Sequence, residues 1–348
     1  MKKSELFELR KYVGNTDAVY GVKDYVFNDG PAKGVRAFDV KNGKGLELTV
    51  LADRGLDIPF LSFKGVTMNF AGKPGIHAPA FFVEDGVRGY LTRFNAGMLT
   101  TCGITYSGAP CEDEGRTLGL HGPYDNTPAS YVSAAQACQG DDIVIRIAGE
   151  VKEACVFNEN MRLTRELTVE TEKNVVHIKD TVENLGFDDQ PLMLVYHINF
   201  GHPMLDAGGK VYVSAKKCVA RDDFAAAGMD THLVMEAPEI GRDEQCYFHT
   251  QCPEKEGFAM LHNEKLGMAG IVTYDSEALP LLCQWKCMRA GDYALGLEPT
   301  AAGVLGRAAA RAEGTLPFLK PGQTKEFNVS LTFTDDTKLI EAYKDKAK

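Results

Sequence analysis

The chain is expected to fold as an all-β protein of large, mostly antiparallel sheets with few short helices. Three observations carry this expectation. Apolar residues alternate with polar ones along many stretches, turn residues recur between those stretches, and helical periodicity is scarce.

Each element follows from a local pattern. In 46–50, Leu46, Leu48 and Val50 face one way while Glu47 and Thr49 face the other. The apolar run 35–40 precedes it, and Asn42-Gly43 between the two is a hairpin signal. Alternation also marks 163–169, 176–182 and 327–333. A slip of one residue would turn each apolar set to solvent, so these registers are well specified. Gly, Pro and Asn punctuate the chain at 184–186, 207–209 and 320–322. A terminal helix is expected over 337–348, and 215–235 is ambiguous. No linker, charge block or short-period repeat divides the 348 residues, which predicts one domain over 1–348 with strands in two or more stacked sheets.

Composition narrows the function classes. The formal charge is −10 without a basic stripe, which argues against nucleic acid or an anionic membrane surface as partner. No apolar run approaches the roughly 20 residues that span a bilayer. The opening MKKSELFELRKYVG has no apolar core, so it does not read as a signal peptide. Nine scattered cysteines without a Cys-x-x-Cys pair read as free thiols, mostly buried, in a reducing cytoplasm. A homodimer is compatible with the sequence.

Candidate chemistry rests on three distant residues. His121 lies in GLHGPYDN, where flanking glycines let backbone approach a ligand and Gly-Pro makes a loop. The alternative is a turn histidine bonding a carbonyl. His197 lies in the apolar stretch LMLVYHINFG, sharing a face with Val195 and Asn199. A buried imidazole needs partners, so the alternative is a satisfied core histidine. His202 competes with it but sits in a Gly-His-Pro loop. Glu298 ends YALGLEPT, with Gly296 on its own face and Leu295 and Leu297 opposite. Pro299 keeps it extended, and partial burial would raise its pKa towards a useful value for a base. The alternative is an exposed glutamate on an edge strand.

Further residues complete the candidate site. Arg54 follows a clean strand and offers a fork of donors to sugar hydroxyls, or else pairs with Asp53 or Asp57. Trp285, the one tryptophan, offers an apolar face to sugar C–H groups, or else belongs to the core. Gln245, Tyr247 and His249 are weaker candidates for the same cleft. Acidic runs such as Glu112-Asp113-Glu114 read most simply as solvated loops. Walker A, dinucleotide-fingerprint, Gly-x-Ser-x-Gly and His-Glu-x-x-His motifs are absent.

Several segments together resemble the aldose 1-epimerase (galactose mutarotase-like) superfamily, and more closely its bacterial DUF4432-type branch. They are LADRGLDI at 51–58, GMLTTCGI at 97–104, LGLHGPYDN at 118–126, NMRLTRELTV at 160–169, PLMLVYHINFG at 191–201, QWKCM at 284–288 and LGLEPTAAGVLGRAAARAEGTLPFLKPGQT at 295–324. The resemblance implies a β-supersandwich with its site in a cleft on one concave sheet face. It implies that His121 and His197 contact the ring-oxygen side of a sugar, that Glu298 takes the anomeric hydroxyl proton, and that Arg54 binds the sugar. The acidic residue that holds galactose hydroxyls has no clear counterpart; Glu244 and Gln245 are nearest.

The expected activity is interconversion of the α and β anomers of an aldose by a cytoplasmic enzyme. Glu298 acts as base, and protonated His197, aided by His121, gives a proton to the ring oxygen. Neither metal nor organic cofactor is required. His77, Asn199, Gln245 and Trp285 join Arg54 as expected substrate contacts. The alternatives are a non-catalytic sugar-binding domain that relies on Trp285, and another sugar isomerase or lyase on the same scaffold. A metal-assisted variant would bring His77, His121 and His197 together with Glu298.

Overall fold

The computed structural model describes residues 1–347. Three large antiparallel sheets dominate it. Strands Gly21–Val26, Arg36–Lys41, Leu46–Leu51, Asp57–Phe63 and Val66–Thr67 form a five-stranded meander in chain order. An eight-stranded sheet runs Lys210–Val213, Glu256–Asn263, Met268–Asp275, Thr324–Thr334, Val175–Asn184, Asn160–Glu170, Asp142–Ala154, Ser130–Gln139. The third sheet runs Lys217–Ala220, Gln245–Thr250, Leu281–Arg289, Asp292–Thr300, Met193–His197, Thr100–Ile104, with Asn199–Phe200 also paired to Asp292–Thr300.

The alternating segments form the strands expected of them. The three clearest lie side by side in the eight-stranded sheet, with Ile178 paired to Val329 and Leu167 to Ile178. The hairpin at 42–45 forms as well. The Asn42 carbonyl oxygen of the side chain accepts from the backbone N–H of Lys44 and Leu46, and Gly43 takes φ +78°. One apolar cluster joins the sheets, drawing Val50 and Leu61 from the first, Leu163 and Leu167 from the second, and Tyr196, Leu295 and Leu297 from the third. Each fully buried side chain of this size contributes about 1.5–3 kcal/mol by leaving water.

The few helices are short. Thr337–Lys346 lays Ile340, Leu339 and Tyr343 on Phe258, Met260 and Ile271, covering the outer face of the eight-stranded sheet. The expected helix extended to residue 348, which lies outside the described residues. The ambiguous stretch 215–235 holds strand Lys217–Ala220, helix Asp223–Ala227 capped by Asp222, and a 3-10 turn Met229–Thr231. No helix among the described residues is long and apolar enough to cross a membrane.

Two expectations need correction. Asp113 is not part of a solvated loop: it is 5% exposed and its carboxylate accepts from Arg307 and Arg311. All nine cysteines are free, but Cys138 and Cys155 are exposed and only Cys102, Cys246, Cys283 and Cys287 are buried.

Candidate active site

The third sheet has two faces, and the site lies on the one turned away from the common core. Alternation sends Leu194, Tyr196, Leu282, Leu295 and Leu297 into the core. Their strand neighbours His197, Cys283, Trp285 and Glu298 therefore point the other way, into a pocket of about 290 Å³. Register makes the floor. Cys283 pairs with Glu298 and Trp285 with Gly296 across adjacent strands. Gly296 is required there, because a Cβ would stand 2.2 Å from Glu298 Oε1.

His121 arrives from the opposite side of the pocket. It follows strand Arg116–Leu118 with φ +62°. Its N–H donates to the Gly108 carbonyl at 2.9 Å, and its own carbonyl accepts from Gly103 N–H at 3.1 Å. Gly122 beside it has φ +77°, and a Cβ there would meet the Tyr106 carbonyl at 2.5 Å. Sequence-distant backbone thus holds the loop with its imidazole over the floor.

The three residues converge. The His121 and His197 rings lie 5.6 Å apart, nearly perpendicular. His197 Nδ1 approaches Glu298 Oε1 at 3.3 Å. These two atoms, and His121 Nδ1, are buried without an aligned hydrogen-bond partner. An unsatisfied buried polar atom costs about 1–3 kcal/mol, so three together mark a place prepared for ligand atoms. Aromatic walls surround them. Trp285 stands 5.5 Å from the His197 ring, Phe94 5.3 Å from it, and Tyr90 5.1 Å from His121.

Burial sets the protonation. It pushes the Glu298 carboxyl well above its ordinary range, with Cys246 and Glu244 adding to the effect. It pulls His197 down to about 3, helped by the neighbouring His121, and His121 down to about 4. Burial therefore favours the neutral form of all three groups, the protonated carboxyl of Glu298 and the unprotonated rings of His197 and His121. The expected arrangement, carboxylate plus imidazolium, is the pair of charged forms that this burial disfavours.

The remaining expected contacts divide. Trp285 lines the pocket, and its Nε1 donates to Glu244 Oε2 at 2.7 Å. Arg54 does not reach it: the buried guanidinium donates to Asp125 Oδ2 at 2.7 Å and to the carbonyls of Asp125, His77 and Arg93. It pairs with neither Asp53 nor Asp57. His77 also lies outside, bonded to Gly75, so the four-ligand convergence with Glu298 does not form. Asn199 does not line the pocket but donates to the carbonyls of His197 and Gly97, fixing the backbone that carries His197. Gln245, Tyr247 and His249 sit on the opposite sheet face, and Cys246 between them faces the pocket instead.

Other lining residues carried no sequence signal. Arg221 bonds Glu244 and Asp222 at the rim. Val87 and Leu91 come from helix Gly86–Leu91, and Val304 and Leu305 from the loop after Glu298. A larger groove of about 500 Å³ crosses the five-stranded sheet, but it is lined by side chains such as Asp39, Lys41 and Glu47 and holds no histidine.

Comparison with known proteins supports the fold. A protein from Klebsiella pneumoniae, provisionally named an aldose 1-epimerase, matches with a TM-score of 0.88 and 24% identity over 96% of this chain and 90% of its own. A galactose mutarotase-like protein from Clostridium acetobutylicum matches at 0.63 and 15%, over 91% and 99%. Galactose 1-epimerase from Lactobacillus acidophilus matches at 0.59 and 12%, over 90% and 99%. No curated protein matches in sequence. The model of the family described as domain of unknown function DUF4432 matches residues 32–333. The chain thus belongs to the DUF4432 family and has the galactose mutarotase-like fold.

Proposed function

We propose that this protein interconverts the α and β anomers of an aldose. The observation that carries the reading is the meeting of His121, His197 and Glu298 in one pocket with unsatisfied nitrogen and oxygen atoms facing each other. Anomer exchange needs one group to take the proton of the anomeric hydroxyl and another to protonate the ring oxygen. Glu298 and His197 stand 3.3 Å apart, and burial favours a proton on the carboxyl and none on the imidazole, a pair suited to both functions.

Burial, which favours the protonated carboxyl and the neutral imidazole, supports the following first step. Neutral His197 accepts the anomeric O–H proton while the Glu298 carboxyl gives its proton to the ring oxygen. The C1–O5 bond then breaks and leaves the open aldehyde. Rotation about C1–C2 and closure from the other face return both protons. Transfer of the carboxyl proton to His197 before reaction would exchange the two roles without changing the proton count. His121 flanks the pair, and Trp285, Tyr90 and Phe94 enclose the sugar ring's apolar faces.

Saturation-transfer NMR of anomer exchange, run over a panel of aldoses with and without protein, tests this. The wild type should accelerate exchange of at least one sugar. Glu298→Gln and His197→Ala should each lower the catalysed rate by about 10²- to 10⁴-fold while circular dichroism stays native. Saturable sugar binding without any acceleration would instead identify a binding domain. Near-normal rates in both variants would overturn the assignment of these residues.

A further inference from the structure

On the core-facing side of the same sheet, away from the pocket, Cys218, His232 and His249 bring three ligand atoms within 4.8 Å of one another. Cys218 and His249 are directly paired residues on neighbouring antiparallel strands, so the ladder fixes their spacing. His232 comes from the segment after the 3-10 turn Met229–Thr231, and its ring stacks 5.6 Å from that of His249. We propose that these three side chains form a zinc site, independent of the anomerase pocket.

The donor set suits this ion. One thiolate and two imidazoles are ligands that Zn²⁺ takes in tetrahedral sites. Bond lengths of about 2.3 Å to sulfur and 2.0–2.1 Å to nitrogen place such ligand atoms about 3.5 Å apart. Cys218 Sγ stands 3.9 Å from His249 Nε2, and all three ligand atoms lie within 4.8 Å, so rotation of the partly exposed Cys218 and His232 side chains by about an ångström closes the geometry. Gln284 Oε1 lies 2.9 Å from His249 Nε2 and is available as the fourth donor.

The surroundings orient these ligands as outer-shell groups do in metal sites. His232 Nδ1 is bonded to the Met229 carbonyl, which fixes the proton there and leaves Nε2 as a free donor pair. The Gln284 amide Nε2 donates to the His232 carbonyl at 2.6 Å, which aims its oxygen at His249. The charged groups nearby are balanced. Lys286, which acts on His232, is paired with Glu236 at 2.7 Å and bonded to the Thr231 and Val234 carbonyls.

The ion would clamp the segment between Arg221 and Glu244 to the sheet. Both of those residues rim the pocket on the other side, so zinc would stiffen the pocket's edge without touching its floor.

The test uses the full chain, purified without a histidine tag and stripped with chelator, then titrated with Co²⁺ and with Zn²⁺. Tetrahedral Co²⁺ bound through sulfur should give intense visible bands and a thiolate charge-transfer band in the near ultraviolet, both abolished by Zn²⁺. Cys218→Ser should lose the charge-transfer band, and His232→Ala should lose the tetrahedral spectrum, each with native circular dichroism. Cys218→Ser is nearly isosteric and His232 lies outside the strands, so the folded state survives in at least one of them. No tetrahedral spectrum in the wild type, or a charge-transfer band that persists in Cys218→Ser, would overturn the proposal. Neither readout involves sugar, so failure here leaves the anomerase reading intact, and the reverse.

Discussion

Glu298 and Gly296 define what single residues do at the pocket floor. The carboxylate folds back over the strand position that Gly296 leaves empty. Gly296→Ala places a methyl in that space. It is expected to lower anomer exchange about as far as Glu298→Gln does, by about 10²-fold or more, because the carboxyl loses its approach to His197. A rate unchanged by the added methyl would show that Glu298 acts from another rotamer. The depressed imidazole values give a pH prediction. With His197 at about 3 and His121 at about 4, both stay neutral above about pH 4. Exchange should therefore stay flat from pH 7 to pH 5, rather than falling through the ordinary histidine value of 6.5. A limb centred near 6.5 would mean that His197 titrates freely.

The same shifts affect stability with a definite sign. Below pH 6.5 the unfolded chain takes up protons that buried His197 and His121 refuse, so their contribution, present above 6.5, is lost as pH falls towards 4. Glu298 acts oppositely. Its folded-state value is raised, so its contribution is full below its ordinary 4.5 and is lost as pH rises through the raised value. His197→Gln should thus shrink the drop in melting temperature between pH 6.5 and pH 4.5, as differential scanning calorimetry would show.

At the scale of elements, Arg54 explains how loops become walls. Its guanidinium ties the turn after strand Leu46–Leu51 to Asp125 in the 3-10 turn Tyr124–Asn126, and to the carbonyls of His77 and Arg93. Those contacts hold the His121 loop and the segment that leads from helix Gly86–Leu91 to Phe94, both parts of the pocket. Arg54→Gln leaves Asp125 buried without its partner, and a buried pair broken on one side costs about 3–5 kcal/mol. Denaturant unfolding should show that loss. A stability loss under about 1 kcal/mol, with a large rise in sugar KM, would return Arg54 to the role of a sugar ligand.

At the scale of the molecule, one buried arginine ties the three sheets together. Arg165 from the eight-stranded sheet forks onto Asp180 on the neighbouring strand, with distances of 2.9 and 2.6 Å. Its other arm reaches Asp57 of the five-stranded sheet at 2.9 Å. From the third sheet, Tyr196 donates to Asp180 at 2.7 Å, and Thr101 donates to Asp57 through both its N–H and its hydroxyl. Because all of this is fully buried, Arg165→Met strands two carboxylates. It should destabilise by at least about 3–5 kcal/mol in denaturant unfolding, and Arg165→Lys should recover only part, lacking the fork. Equal stability of wild type and Arg165→Met would show that the apolar core alone aligns the sheets.

The sequence by itself determined the strands and their faces, and it singled out the three residues that meet in the pocket. Period-two alternation is a local property, so it fixes which side chains share a face before any sheet pairs. His121, His197 and Glu298 stood out because a histidine in a Gly-Leu-His-Gly-Pro loop, a histidine in an apolar strand and a glutamate before proline each conflict with their surroundings. The tertiary structure decided what no local pattern carries. Asp125 lies 71 residues from Arg54, so the sequence beside Arg54 could not distinguish a sugar ligand from a buried structural cation. Arg221 and Glu244 end a segment without periodicity, and only the fold brings them to one rim. The direction of each pKa shift in the pocket was decided there too, because desolvation depends on how closely distant strands and loops enclose a group.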